Sequence, residues 1–356
     1  MLGYILLFLA IVFSYNIKNK KKQLLFVFVA VTIFSGLRYG IGYDYYSYLD
    51  SCMQGSSRAD RYEPIPRMFA MWSQQTTPYL FFVLTSLFIS VFYYIGIKKG
   101  GHDFFCEAIF YICFPFLFFN QLGIVRQAMA SSVVFCAIAI GNKYSFSIKN
   151  PIVLKKIFLL LIGYLCHQSA LVAVFILFPW DRVNKFYLWI IFIASFFVGI
   201  AITPLLESLL YTGFLGEDAT ASAIRYLENE TTGEGRLIKY LIYLVALLSL
   251  LLYDRLTKMN DKNAYYIGLL VFGAALYALF VFNASLAKRF CIFFFSSSIF
   301  MVPLIVKVLK IDRLLYVVVM MILLSLQIYI SSSNIRVEDK NGSSVSYPYR
   351  TFIDEL

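Results

Sequence analysis

Long apolar runs, separated by short polar loops, fill most of this 356-residue chain. A helix that crosses a membrane needs about 20 mostly apolar residues, and several of the runs reach that length. The runs cover residues 2–16, 23–37, 79–97, 104–122, 128–142, 152–179, 186–206, 237–253, 264–283, 290–307 and 314–330. The pattern predicts an all-α, polytopic integral membrane helical bundle with about 11–12 membrane segments.

The composition is that of a chain that folds in lipid. Hydrophobic residues make up 60% of the chain and charged residues only 14%, against about 25% charged residues in an ordinary soluble domain. The net charge is +11, which in a soluble protein would suggest binding to nucleic acid. Here the lysines stand in short tracts between apolar runs, as at Lys20–Lys22. We therefore expect membrane lipid, and no nucleic acid, as a partner.

The basic tracts also predict an orientation in the membrane, because lysine and arginine favour the cytoplasmic side. The loop 207–236 carries six acidic residues against two arginines, which suits the outside. If every apolar run crosses the membrane once, the acidic loop falls inside and the basic loop 254–263 falls outside, which contradicts these assignments. A helical hairpin within 152–179, with its tip near His167, resolves the conflict. A break at Pro204 in the following run is the alternative.

With the hairpin in place, both chain termini lie outside. The two long loops, 38–78 and 207–236, also become extracytoplasmic. We expect a single transmembrane domain over residues 1–330, followed by a C-terminal tail over 331–356.

Four polar residues fall near the outer face in this topology, although none of them was used to draw it. They are Arg38, Arg126, His167 and Arg289. Ionisable residues at membrane depth are costly and by default suggest function. Interfacial anchoring is the alternative for the arginines, and a structural role is the alternative for His167. A neutral imidazole can accept a proton near pH 7, so His167 is also a candidate general base.

Other polar residues accompany these four. Asp44 follows Arg38 in a segment with two glycines that permit tight turns. Gln127 follows Arg126 between two apolar stretches, and Glu63 lies in the first outer loop. We take all three as candidate site residues.

The sequence lacks the common motifs of nucleotide binding, metal-dependent hydrolysis and nucleophilic hydrolysis. It contains no Walker loop, GxGxxG, HExxH or GxSxG motif, and its six cysteines form no CxxC pair. We expect no cofactor and no metal site.

Five segments in order resemble the EpsG branch of the Wzy-type polysaccharide polymerases. They are Leu37-Arg38-Tyr39-x-Ile41-Gly42-x-Asp44-Tyr45, Tyr62-Glu63-Pro64, Ile124-Val125-Arg126-Gln127-Ala128-Met129-Ala130, His167-Gln168-Ser169-Ala170-Leu171 and Arg289-Phe290. The resemblance extends to about residue 300. It implies a multi-helix glycosyltransferase with GT-C-like architecture.

The resemblance also implies a reaction and its partners. Such polymerases join oligosaccharide repeat units carried on undecaprenyl pyrophosphate, at the outer face of the bacterial cytoplasmic (inner) membrane. The product is O-antigen, capsule or exopolysaccharide. Both the donor and the acceptor are lipid-linked, and a chain-length regulator protein is a further expected partner.

The candidate residues suit this chemistry. The leaving pyrophosphate gains negative charge, which preorganised arginines stabilise, so Arg38, Arg126 and Arg289 are expected to bind it. Gln127 and Glu63 are expected to contact substrate. His167 is the expected base for the acceptor hydroxyl, and Asp44 or Glu63 are the alternatives.

Three other functions remain open on the sequence. A flippase or transporter of lipid-linked oligosaccharide would also use membrane-embedded Arg and His, although the two related halves of many transporters are not evident. Another lipid-donor glycosyltransferase, such as an O-antigen ligase, is the second. An acyltransferase-like assembly protein is the third.

Overall fold

A computed structural model describes residues 2–141, 150–211, 233–281, 283–333 and 349–355. The chain forms two compact units. The first comprises the described parts of 1–141, 147–171 and 310–356, and the second those of 142–146 and 172–309. Most of the predicted loop 207–236, the lysines at 143 and 149, and most of the tail 331–356 lie outside the described residues.

The first unit is built mainly of helices. They are α1 (Leu2–Ser14), α2 (Lys20–Gly36), α3 (Tyr45–Ser51), α4 (Pro64–Gln75), α5 (Leu80–Gly100), α6 (Phe104–Cys113), α7 (Phe118–Gly123), α8 (Val125–Ala139), α9 (Pro151–Cys166) and a later helix, Arg313–Ser333. A short 3-10 helix covers Arg58–Arg61, and two short strands, β1 (Arg38–Tyr39) and β2 (Arg350–Thr351), form an antiparallel pair. Helices α2, α5, α8 and α9 pack in that order around an apolar core.

The second unit contains the remaining helices. They are α10 (Lys185–Tyr211), α11 (Gly233–Leu251), α12 (Tyr253–Met259), α13 (Lys262–Leu279), α14 (Ala284–Phe295) and α15 (Ser298–Val308), so that Arg313–Ser333 is α16. Helix α13 is its centre and packs against α10, α11 and α14. The hydroxyl of Tyr265 on α13 donates to the carbonyl oxygen of Ile176, 2.7 Å away.

The helical membrane class is confirmed. Within the described residues, three helices are long and apolar enough to cross a membrane, and the number is five if each of two bent pairs counts as one span. The three are Leu80–Gly100, Lys185–Ile202 and Lys262–Leu279, and the bent pairs are Ile238–Leu251 with Tyr253–Met259 and Leu286–Phe295 with Ser298–Val308. Further apolar helices are shorter, and the count of 11–12 membrane segments stays a prediction.

One predicted run is divided by a proline. The run 104–122 becomes α6 and α7, because Pro115 has no N–H to donate and disfavours helical backbone at the residue before it. Phe114 accordingly adopts extended backbone, with φ −79° and ψ 122°.

The predicted interruption of the run 152–179 is confirmed. Helix α9 ends at Cys166, and His167 is extended, with φ −163° and ψ 129°. A 3-10 helix, Gln168–Leu177, follows it. The alternative break at Pro204 is wrong, because α10 continues through that residue. Whether the interrupted run forms a hairpin in the membrane stays a prediction.

The end of the chain docks on the first unit, which the sequence did not indicate. Strand β2 places Thr351 opposite Arg38 and Arg350 opposite Tyr39. The ring of Tyr349 stacks on that of Phe34, with centroids 4.4 Å apart, and its hydroxyl donates to the Phe34 carbonyl. The end of α2 at Gly36 and residues 349–353 therefore lie at the same end of the first unit.

This docking yields a test of topology. Lys18, just before α2, and the β1–β2 pair lie at opposite ends of a 17-residue helix, about 25 Å long at 1.5 Å per residue. We expect a membrane-impermeant thiol reagent to label Tyr43→Cys and Ile353→Cys in intact cells, but Lys18→Cys only after lysis. All six native cysteines are buried free thiols, so background labelling should be low. Labelling of only one of positions 43 and 353 would contradict the docking, and labelling of position 18 alone would invert the topology.

Candidate functional site

The segment after α2 turns sharply because of two glycines. Gly40 and Gly42 have positive φ values of 66° and 110°, a conformation that residues with a Cβ rarely adopt. A Cβ on Gly42 would also collide with the carbonyl oxygen of Leu122. The turn therefore packs directly against residues 122–123, just before α8 begins. Two of the sequence segments singled out above are brought together in this way.

Arg38 is buried at the start of this turn, with 2% of its surface exposed. Its guanidinium group donates to the carbonyl oxygens of Ser35, Ile41 and Leu122. These acceptors belong to the end of α2, the glycine turn and the segment before α8. Arg38 thus joins three segments through their main chains. Direct contact with a phosphate, as the sequence suggested, would require it to give up some of these bonds.

The surroundings of Arg38 are aromatic. Its guanidinium carbon lies 5.0 Å from the centroid of the Phe82 ring, a cation–π arrangement. Burial lowers the pKa of Arg38 from its ordinary value to about 10, and the nearby phenols of Tyr45, Tyr349 and Tyr48 oppose that shift. The side chain therefore stays cationic at neutral pH.

Arg126 lies in the first turn of α8 and forms an ion pair with Glu63. The distance between Nη1 of Arg126 and Oε2 of Glu63 is 2.7 Å, and the side chains are 27% and 11% exposed. The guanidinium carbon also lies 4.5 Å from the centroid of the Tyr62 ring. Glu63 immediately precedes α4, whose first residue is Pro64, so the proline fixes where the carboxylate stands.

Glu63 also reaches the interruption after α9. Its Oε1 accepts a hydrogen bond from the backbone N–H of Gln168 at 3.3 Å. One carboxylate therefore connects the start of α4, the start of α8 and the residue that follows His167. Three of the sequence segments converge on this group.

The hydrogen bonds of His167 constrain its chemistry. Its Nδ1 accepts from the backbone N–H of Ser169 at 3.1 Å, and the Ser169 hydroxyl lies 2.8 Å from the same atom. A backbone N–H can only donate, so a neutral imidazole here carries its proton on Nε2. In this tautomer His167 offers a donor at Nε2. Action as a base would require the Ser169 bonds to Nδ1 to be released, and the role of His167 stays a prediction.

The remaining candidates are placed as follows. Asp44 is exposed at the start of α3, and Gln127 is buried in α8. Arg289 is partly exposed in α14, which belongs to the second unit. Its convergence with Arg38, Arg126 and His167 therefore stays a prediction. Among the described residues, no group of three or more His, Cys, Asp or Glu side chains could hold a metal ion.

Two tyrosines contribute to the site and were not singled out for a role. Tyr62 lies under Arg126, and its hydroxyl is 2.6 Å from that of Ser51. Tyr48 lies beside both arginines, and burial raises its pKa to about 12 while the charge of Arg126 opposes the rise. In the sequence both look like ordinary interfacial tyrosines. The position of Tyr62 next to Glu63 was the available signal.

The ion pair can be tested against a matched control in the same loop. Arg67 and Asp60 lie 2.6 Å apart but are 45% and 63% exposed. Exposed pairs couple by about 0.2–1 kcal/mol, whereas removing one partner of a sheltered pair costs several kcal/mol at full burial. We expect a double-mutant cycle of Glu63→Gln and Arg126→Gln, measured by unfolding in detergent, to give a coupling energy of about 1–3 kcal/mol. The cycle of Asp60→Asn and Arg67→Gln should give less. Equal coupling in the two cycles would mean that the Arg126–Glu63 pair is solvated like a surface pair.

Comparison with known proteins identifies one family. The model of the EpsG family matches residues 21–351, which is nearly the whole chain and includes every candidate residue named above. No curated protein and no solved structure matches. The chain therefore belongs to the EpsG family of polysaccharide polymerases, membrane proteins of the glycosyltransferase type.

Proposed function

We propose that this protein joins oligosaccharide repeat units carried on undecaprenyl pyrophosphate, at the outer face of the bacterial inner membrane. Membership of the EpsG family supports polymerisation. The observation that carries the proposal at the level of residues is the sheltered Arg126–Glu63 pair. A multi-donor cation stands there beside a carboxylate, partly open to substrate.

The reaction requires a proton acceptor and a group that stabilises negative charge. The acceptor hydroxyl attacks the anomeric carbon of the donor sugar, and the bond from that carbon to the pyrophosphate oxygen breaks. The hydroxyl proton must be taken up, and the charge on the departing pyrophosphate must be stabilised. In the proposal Arg126 stabilises the leaving group, because its planar fork suits phosphate oxygens. The proton goes to a carboxylate or to a histidine.

Glu63 is better placed than His167 to act as the base. A carboxylate accepts protons without any change of tautomer, whereas His167 presents a proton at Nε2. When phosphate oxygens take over the Nη1 donor of Arg126, Oε2 of Glu63 loses its partner at 2.7 Å. Binding of the donor would in this way free this carboxylate oxygen to accept the proton of the acceptor hydroxyl.

The other candidates have supporting roles in the proposal. Arg38 positions the turn and the start of α8 through its bonds to carbonyl oxygens. His167 donates from Nε2 to substrate, and Arg289 contributes a second cation to the pyrophosphate. Gln127 and Asp44 contact substrate. The reaction in this form is metal-independent, and a chain-length regulator protein is a proposed partner in the membrane.

Deletion of the gene distinguishes this function from that of a flippase. We expect the deletion strain to lose the ladder of surface polysaccharide on a gel but to retain a single capped repeat unit. A polymerase acts after the unit has crossed the membrane, so one unit still reaches the surface. Loss of all repeat units would instead favour a transporter, and an unchanged ladder would exclude both.

Point variants test the assigned roles in the same assay. We expect Arg126→Lys to shorten or abolish the ladder at normal protein level, because lysine keeps the charge but loses the planar fork. Glu63→Gln should abolish it, and Glu63→Asp should retain part of it. His167→Ala should reduce the ladder. His102→Ala serves as the control, because His102 is exposed and follows the last residue of α5, at the other end of that helix from Phe82. A full ladder from Glu63→Gln would exclude Glu63 as the base and return that role to His167 or Asp44.

A further inference from the structure

Helix α4 presents two different faces. Pro66, Phe69, Ala70 and Ser73 are buried against the first unit. The opposite stripe holds Pro64, Arg67, Met68, Met71, Trp72 and Gln75, spaced so that they align along one side of a helix. The stripe runs for the whole 12-residue helix, which is about 18 Å at 1.5 Å per residue.

This stripe and Tyr62 line an open groove of about 410 Å³. That volume lies within the range of about 300–1,000 Å³ typical of ligand sites. Met68, Met71 and Trp72 are each exposed by two-fifths or more of their surface, so these large apolar side chains form one accessible cluster on the helix. The groove is therefore a built feature of α4 that the reaction described above leaves unused.

The near end of the groove lies beside the Arg126–Glu63 pair. The Tyr62 ring lines the groove and also lies 4.5 Å from the guanidinium carbon of Arg126. Glu63 stands between Tyr62 and Pro64, the two residues at the near end of the groove. A ligand lying along α4 would therefore end at Tyr62, beside the Arg126–Glu63 pair.

The lining indicates the chemistry of that ligand. Trp72 and Tyr62 supply flat aromatic surfaces, and the thioethers of Met68 and Met71 adapt to irregular shapes. Arg67 and Gln75 supply hydrogen-bond donors at intervals along the same stripe. Sugar rings match this lining, because their apolar C–H faces pack on aromatic rings and their hydroxyl groups accept hydrogen bonds.

A hydrocarbon tail fits this lining less well. Helices that lie against lipid keep their charged residues on the face opposite the apolar one. Here Arg67, in an ion pair with Asp60 at 2.6 Å, stands on the same stripe as Met68 and Trp72. An isoprenoid chain along the stripe would displace water from these charged groups. The chain cannot replace the hydrogen bonds that the water made, so its binding there would be costly.

We infer that the α4 groove binds the oligosaccharide of the acceptor and delivers its terminal hydroxyl to Glu63. This inference rests on the proposed function and names the subsite for one of its two substrates. In this inference Trp72 is the main contact, and Arg67 and Gln75 donate hydrogen bonds to hydroxyl groups of the oligosaccharide.

Binding to the purified full-length protein in detergent tests the inference. The probe is a fluorescently labelled single repeat unit without lipid, prepared by mild acid release from the cell's own polysaccharide. We expect Trp72→Ala to weaken binding about tenfold, as befits loss of one aromatic contact, and Trp72→Phe to restore most of it. Trp189→Ala on α10 is the matched control and should bind as the native protein does. Unchanged binding by Trp72→Ala would overturn the inference.

Two further measurements separate this inference from its alternatives. In the surface assay Trp72→Ala should give a shorter ladder at normal protein level, whereas a native ladder would overturn the inference but leave polymerisation intact. If the gene deletion leaves the ladder unchanged, the proposed function fails regardless of the groove. If Trp72→Ala instead weakens binding of farnesyl pyrophosphate and leaves the oligosaccharide unaffected, the groove holds lipid and the inference is wrong.

Discussion

The guanidinium group of Arg38 binds main-chain carbonyl oxygens from three separate segments of the first unit. The last carbonyls of a helix have no partner within that helix. In an apolar setting each unsatisfied group costs about 1–3 kcal/mol, so the end of α2 needs a donor that reaches it. Arg38 supplies several donors and a positive charge at the negative end of the helix. Its bonds tie the glycine turn and the segment before α8 to the end of α2.

The candidate site follows from that anchor. Because the turn at Gly42 packs on Leu122, the first residues of α8 have a defined place beside the loop 38–78. Arg126 then meets Glu63, which Pro64 holds at the start of α4, and Glu63 in turn meets the backbone at Gln168. The interruption after Cys166 is needed for this last contact, since a continuous helix would bury that N–H in its own hydrogen bonds.

The sequence predicted the long helices and the interruption near His167, because apolar length and the placement of lysines follow directly from the membrane. It did not predict α3 and α4 inside the loop 38–78. Those helices are short and half polar, and a search for apolar runs passes over them. The pairing of Arg38 with Thr351 was also missed, since two-residue strands 313 positions apart leave no local pattern. The candidate residues stand out in the sequence because charge near the membrane is costly, but their contacts, such as those with Tyr48 and the carbonyl of Leu122, depend on packing that no motif records.

The structure also bears on how several cations can share one region of low polarity. Bare arginines close together would repel one another strongly there, and the sequence predicts that three of them bind one pyrophosphate. In the first unit two different balances are already present. Arg38 is surrounded by carbonyl dipoles and by the Phe82 ring, and Arg126 is neutralised by Glu63. Displacing the Glu63 carboxylate from Arg126 would leave the main-chain packing intact, whereas displacing the carbonyl acceptors of Arg38 would break it. The buried arginine therefore holds the backbone, and in the proposed reaction Arg126, whose side chain is 27% exposed, meets the substrate.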